Sequence, residues 1–293
     1  MVKTDGYITM EDGVRLYFEK VGNGPTAVVV LNGFIYLDDF RYLAGGRTLI
    51  SLDLRNRGRS DYLTDASKLK RGIHQDVDDL EAVRRHFGLN QIDLLAHSYA
   101  GLTVILYAMK YPSNVSRIVQ ISAIPPDGAK QYPAPLSNVD AVLHEFFGKV
   151  QELEKERSSE DPVQFCKRFW SILRPIYVAN PTDAEKINKW ERCDLPTERN
   201  LMRYWVENLV PSIQTVHLTE SDLAAIKTPV LVIHGTKDRS SPYGGAKDWA
   251  SMLPNARLLT IEDAAHAPWI EAPEKVLPPI QTFLESSVSA SRH

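Results

Sequence analysis

Apolar and polar positions follow two periods along this chain. Short runs of β-branched and aliphatic residues stand at 27–31, 49–54, 92–96, 117–122, 230–233 and 256–261. Runs rich in Val, Ile and Leu are what strands require when helices cover both faces of a sheet. At 73–87, where Leu80, Val83 and Phe87 recur, and at 102–111 the period lengthens to that of an amphipathic helix. The alternation predicts an α/β chain with a mostly parallel central sheet wrapped by helices. A leading hairpin is predicted from 7–10 and 14–21 around the Asp12-Gly13 turn, with Val14, Leu16 and Phe18 on one face, giving the sheet an antiparallel edge.

The βα rhythm stops between 125 and 222. That stretch is helical in pattern and rich in large aromatics, among them Phe146, Phe169, Trp170, Tyr177 and Trp190. Because it begins and resumes where strands leave the sheet, it is expected as a cap inserted into a core made of residues 1–124 and 223–293. The aromatics then divide between cap core and pocket wall.

Composition narrows the function. With 43% apolar and 24% charged residues over 293 positions, the chain can bury a large core. A net charge of -3 provides no basic field for nucleic acid or an anionic membrane, so neither is expected as a partner. The first continuous apolar run is too short for a signal segment or a bilayer span, so a soluble, cytoplasmic chain is expected. Cys166 and Cys193 form no C-x-x-C pair and are expected as two reduced thiols. Asp76, Asp78 and Asp79 fall in the first turns of the helix at 73–87, where carboxylates meet the positive end of the dipole. Their spacing with His74 does not converge on one face, so no metal site is expected there.

Candidate chemistry lies at Leu94-Leu95-Ala96-His97-Ser98-Tyr99-Ala100-Gly101, where a predicted strand runs directly into a predicted helix. A serine on so sharp a turn presents its hydroxyl at the carboxyl end of the strand, and the residues two before and two after it must be small. Here they are Ala96 and Ala100. In this motif the chain resembles the α/β-hydrolase family, whose nucleophile elbow is written G-x-S-x-G; both glycines are alanine here.

A serine hydroxyl needs a base, and the base a partner that fixes its tautomer. The resemblance implies the chain order Ser, acid, His. His234-Gly235-Thr236-Lys237-Asp238 looks like the family's acid turn, which makes Asp238 the orienting carboxylate. Glu262 to Pro273 looks like its histidine loop, which makes His266 the base, although Ala265 stands where glycine is usual. His97, His74, His86, His144 and His217 are weaker as bases, and Asp127 is the rival acid. Asn32-Gly33-Phe34 replaces the family's usual His-Gly loop. The resemblance therefore implies an oxyanion hole made by the N–H groups of Tyr99 and Phe34, with Asn32 and Gly33 against the substrate. The loop from Asp53 to Asp61 resembles the family's D-x-R-G-x-G-x-S segment, and its arginines are expected to tie backbone rather than bind phosphate. Pro278-Pro279 is expected to kink or shorten the last helix.

These features imply a serine hydrolase of carboxylic esters that needs no metal or organic cofactor and acts on a small-molecule ester or amide. Serine at position 98 disfavours the branches that use aspartate there, and Ala267 stands where hydroxynitrile lyases carry lysine. Trp190-Glu191 resembles the pair with which proline iminopeptidases receive a substrate amino terminus, which makes an aminopeptidase the runner-up. A receptor that retains the triad is the third possibility.

Overall fold

The computed structural model describes residues 2–157 and 161–285, so Met1 and residues 286–293 of the expected core lie outside the described residues. Eight strands form one sheet in the order β1-β2-β4-β3-β5-β6-β7-β8. They are β1 (Lys3–Thr9), β2 (Arg15–Gly22), β3 (Ala27–Leu31), β4 (Thr48–Leu52), β5 (Ile92–His97), β6 (Val115–Ile121), β7 (Val230–Gly235) and β8 (Ala256–Ile261). The hairpin β1/β2 supplies the antiparallel edge and joins the sheet through β4; every pair from β4 to β8 is parallel. Each expected strand is present. β8 departs from the fully buried type because it is the outer strand, with one side uncovered, and most of it is only half-buried.

The longer helices are α1 (Gly33–Phe40), α2 (Ile73–His86), α3 (Tyr99–Lys110), α4 (Ala141–Glu156), α5 (Pro162–Tyr177), α6 (Tyr243–Met252) and α7 (Pro273–Glu285). Two apolar clusters cover the two sheet faces: α2, α3 and α6 pack on one side, and α1, α7 and the aromatics of α5 on the other. α3 begins before the expected 102 because the chain turns into helix immediately after Ser98. α7 runs through Pro278 and Pro279 rather than stopping there. The carbonyls those prolines deprive of a partner belong to Glu274 and Lys275, both exposed, so water can satisfy them.

Between β6 and β7 the described residues form helices and turns, with α4, α5 and a 3-10 stretch at Pro181–Trp190. Asp127 and His217 bridge its two ends. The expectation of two reduced thiols is corrected here: Cys166 and Cys193 are bonded as a disulfide across a sequence separation of 27. The chain doubles back from α5 through the 3-10 stretch, a reversal that cysteine spacing alone does not reveal. The pairing also removes the reduced thiols as an argument for a cytoplasmic location. Among the described residues no helix is long and apolar enough to cross a membrane.

The acidic cluster on α2 separates into three environments. Asp79 is bonded to Arg55 at 2.8 and 2.9 Å, while Asp78 meets Arg71 and Lys110 at the surface. Asp76 is buried with neither oxygen partnered; burial first, then the Asp79 charge, push its carboxyl well above the ordinary range.

Candidate active site

Ser98 joins β5 to α3 at φ 58, ψ -131, a left-handed conformation that side chains other than glycine avoid. The turn survives because its flanks are small. Ala96 and Ala100 are buried, and a Cβ on Gly101 would stand 2.5 Å from the Ala123 Cβ. Ser98 is half-buried and faces a cavity of about 390 Å³.

The acid and the base come from the ends of β7 and β8. His266 Nδ1 donates to Asp238 Oδ2 at 2.8 Å, and both side chains are fully buried. That bond puts the ring proton on Nδ1 and leaves the Nε2 lone pair free, the tautomer a general base needs. Nε2 has no hydrogen-bond partner, and no bond joins it to Ser98 Oγ, a gap usual in sites without substrate. Asp238 also accepts N–H bonds from Ser240 at 2.8 Å and Ser241 at 2.9 Å, and His234 Nε2 lies 3.2 Å from Oδ2. Burial alone would raise its carboxyl; the charge of His266 and the His234 hydrogen bond outweigh it and hold Asp238 well below the usual carboxylate range.

His97 does not act on Ser98. Its Nε2 lies 2.8 Å from the His266 carbonyl, which can only accept, so Nε2 carries the proton and Nδ1 accepts from the Tyr36 hydroxyl at 2.6 Å. Burial, then the neighbouring His266, hold His97 well below the usual histidine range. It is a neutral strut beneath the base. Asp127 bonds His217 at the surface and is remote from His266 in bonding, while His74 meets Thr215 and His86 and His144 are exposed.

The sequence reading missed how tightly the inserted segment grips these loops. His266 N–H donates to the Tyr177 carbonyl at 3.1 Å, and the Tyr177 ring lies 4.7 Å from the imidazole. Glu271 accepts from both Ala179 N–H and Ala265 N–H at 2.7 Å, and Arg239 donates to the carbonyls of Val178 and Ala179. Apart from the local Ala265–Glu271 bond, these ties join residues sixty or more apart in the chain, and no local pattern announces them. The arginines of the 53–61 loop, expected to tie backbone, bond carboxylates through their side chains instead, and Asp53 holds backbone, through Phe34 and Arg59 N–H. Arg55 holds Asp79 and Arg59 holds Asp53, while Arg57 forms a buried two-pronged pair with Glu198 of the insertion at 3.1 and 3.2 Å.

Three site expectations are corrected. Phe34 N–H is already donated to Asp53 Oδ1 at 2.8 Å, so it does not stand free for an oxyanion. The cause is local: α1 starts at Gly33, with Asn32 alone between it and the end of β3, and the Phe34 N–H in its first turn bonds the buried Asp53. Glu191 pairs with Arg174 at 2.9 Å and does not line the cavity, whereas Trp190 does, with its ring stacked at 5.6 Å on Trp269. Gly33 likewise stays out of the cavity wall; its missing side chain makes room for Ser51, whose Oγ a Cβ would meet at 1.6 Å. Asn32 and Tyr99 line the cavity, and Tyr99 N–H, at the start of α3, has no helical carbonyl to accept it.

A doubly wound sheet with a strained serine at one strand end and a buried Asp–His pair at two others defines the α/β hydrolases as a class. The chain belongs to that family: the family model described as alpha/beta hydrolase fold matches residues 27–273. It is 28% identical over 292 residues to a bifunctional esterase/perhydrolase of Acinetobacter calcoaceticus, covering 96% of this chain and 100% of that protein. It is 27% identical to a proline iminopeptidase of Heyndrickxia coagulans, covering 97% of this chain and 99% of that one. An esterase from Exiguobacterium antarcticum shares the fold at a TM-score of 0.73 and 20% identity, over 96% of this chain and 99% of that one.

Proposed function

We infer that the protein is a serine hydrolase of carboxylic esters, with residues 125–222 acting as a cap over the site. The observation that carries this reading is the buried His266–Asp238 bond at 2.8 Å, which leaves Nε2 unpartnered at the sheet edge where Ser98 sits. His266 takes the Ser98 proton as Oγ attacks the acyl carbon, Tyr99 N–H meets the developing oxyanion, and His266 returns the proton to the leaving alcohol. Water then attacks the acyl-enzyme with His266 again as base, releasing the acid and restoring Ser98.

Ester is favoured over aminoacyl amide by the cavity wall. Among the described residues lining it, the charged ones are Arg57 and Arg239, and none is a carboxylate. An aminopeptidase needs an acid to receive the substrate ammonium, and Glu191 is held away by Arg174. The remaining wall, with Phe146, Phe169, Trp170, Leu173 and Trp205, suits an apolar acyl or alkyl group.

Hydrolysis of p-nitrophenyl butyrate exceeding that of prolyl naphthylamide is the expected result. Ser98→Ala and His266→Ala should each lower turnover by about 10⁴-fold or more. Parental ester turnover in Ser98→Ala, or amide cleavage outrunning ester cleavage, would overturn the reading.

A further inference from the structure

The engagement of Phe34 N–H leaves Tyr99 N–H alone as a backbone donor at Ser98, where acyl transfer ordinarily uses two. The side chain of Asn32 belongs to the same cavity wall as Ser98 and Tyr99. Asn32 follows the last residue of β3 and Ser98 the last of β5; those strands are paired in parallel with Val30 opposite Leu95, so the two residues leave adjacent strand ends. Both line the same cavity. Asn32 is buried and sits at φ 56, ψ 47, a conformation asparagine tolerates better than most residues.

Its amide is incompletely bonded. Asn32 Nδ2 and Arg57 Nη1 each lie 3.2 Å from the Tyr99 hydroxyl oxygen, while Asn32 Oδ1 is buried with no partner. Two donors thus converge on one phenol whose own proton has no acceptor, next to an acceptor with no donor. Exchanging the amide oxygen and nitrogen resolves both: Tyr99 O–H donates to Oδ1, Arg57 still donates to the Tyr99 oxygen, and both Nδ2 protons are freed. In either orientation at least one amide N–H lacks an acceptor, on a side chain held by Tyr99 and, through it, by a guanidinium that is always charged.

We propose that the Asn32 side-chain amide is the second oxyanion donor, replacing the backbone N–H at Phe34. The assignment rests on the serine hydrolase reading above. As Ser98 Oγ bonds the acyl carbon and its proton passes to His266 Nε2, the carbonyl π pair becomes a lone pair on oxygen; Asn32 N–H and Tyr99 N–H bond that oxygen. Collapse re-forms the carbonyl and expels the alkoxide, which His266 protonates. Fixed donors of this kind act chiefly on the transition state.

Two substitutions that tolerate the left-handed backbone test it: Asn32→Gly, which removes the amide, and Asn32→Asp, which keeps the shape but at neutral pH has no donor. Each should lower kcat for p-nitrophenyl butyrate by about 10²–10³-fold with KM changed only a few-fold. Each should also weaken binding of a butyl boronic acid, a mimic of the tetrahedral adduct, by a similar factor. Thermal unfolding identifies any variant that does not fold, and Asn32→Ser, with a hydroxyl donor, should recover part of kcat. A folded Asn32→Gly or Asn32→Asp with kcat within about fivefold of the parent, or with boronate affinity and KM weakened equally, overturns the assignment. Ser98→Ala run alongside separates the outcomes: loss of activity there with parental Asn32 variants sinks this donor alone, whereas an active Ser98→Ala sinks the hydrolase reading beneath it.

Discussion

The carboxyl edge of the sheet and the helical segment between β6 and β7 are held by different balances of forces. At the edge, geometry follows from backbone: strand ends place Asn32, Ser98, Asp238 and His266, and apolar clusters cover both faces of the sheet that carries them. The segment between β6 and β7 shares that apolar packing through Phe169, Trp170 and Trp190, and adds a handful of polar and covalent ties, namely Arg57–Glu198, Glu271 with its two N–H donors, Arg239 with two carbonyls, and the Cys166–Cys193 bond. The sheet edge is thus set by strand packing and the small residues at its turns, and the pocket wall also by single polar contacts that one substitution can break.

Glu198→Ala should produce the largest loss. It leaves Arg57 buried beside the cavity without its carboxylate, and breaking such a pair costs about 3–5 kcal/mol. Urea unfolding should show that loss, with Glu198→Gln intermediate; an unchanged midpoint would mean that the insertion is held mainly by apolar packing. Opening the disulfide ranks next. A sequence separation of 27 between Cys166 and Cys193 places its contribution at about 2–4 kcal/mol. Cys166→Ala with Cys193→Ala should therefore unfold at lower urea while retaining the His266–Asp238 pair. A histidine proton signal far downfield in both forms would check the latter, and its disappearance would show that edge and insertion are not separable.

The smallest effect is a pH dependence at the edge. His97 is held well below the usual histidine range by burial and by His266, so below about pH 6.5 the unfolded chain takes up a proton that the folded protein refuses. Stability from this source is complete above that pH and declines as pH falls. The slope should reach about 1.4 kcal/mol per pH unit. Between pH 7.5 and 5.5 the parent should lose more unfolding free energy than His97→Gln, which cannot titrate; equal losses would show that His97 is not the group responsible.

What could be read in the linear chain was whatever has a local or periodic cause. Strand runs, the elbow at Ser98, the acid turn and the histidine loop each occupy a few consecutive residues, and with the family resemblance they pointed to an α/β-hydrolase fold and to the Asp238 and His266 that are found bonded. The arginine loop has a structural role, but its arginines pair with carboxylates rather than backbone, because buried charges need partners of opposite charge.

Contacts between distant segments obeyed no such local rule. Whether Phe34 N–H faces a substrate or Asp53 depended on α1 starting one residue after the strand and on which carboxylate lay beneath it. Whether Glu191 entered the pocket depended on Arg174, and whether the cysteines paired depended on the return path of the insertion. Propensity and periodicity constrain each segment against solvent and against a generic core. They carry no information about which polar group of one segment will meet which of another, and that is set by the three-dimensional packing of the folded chain.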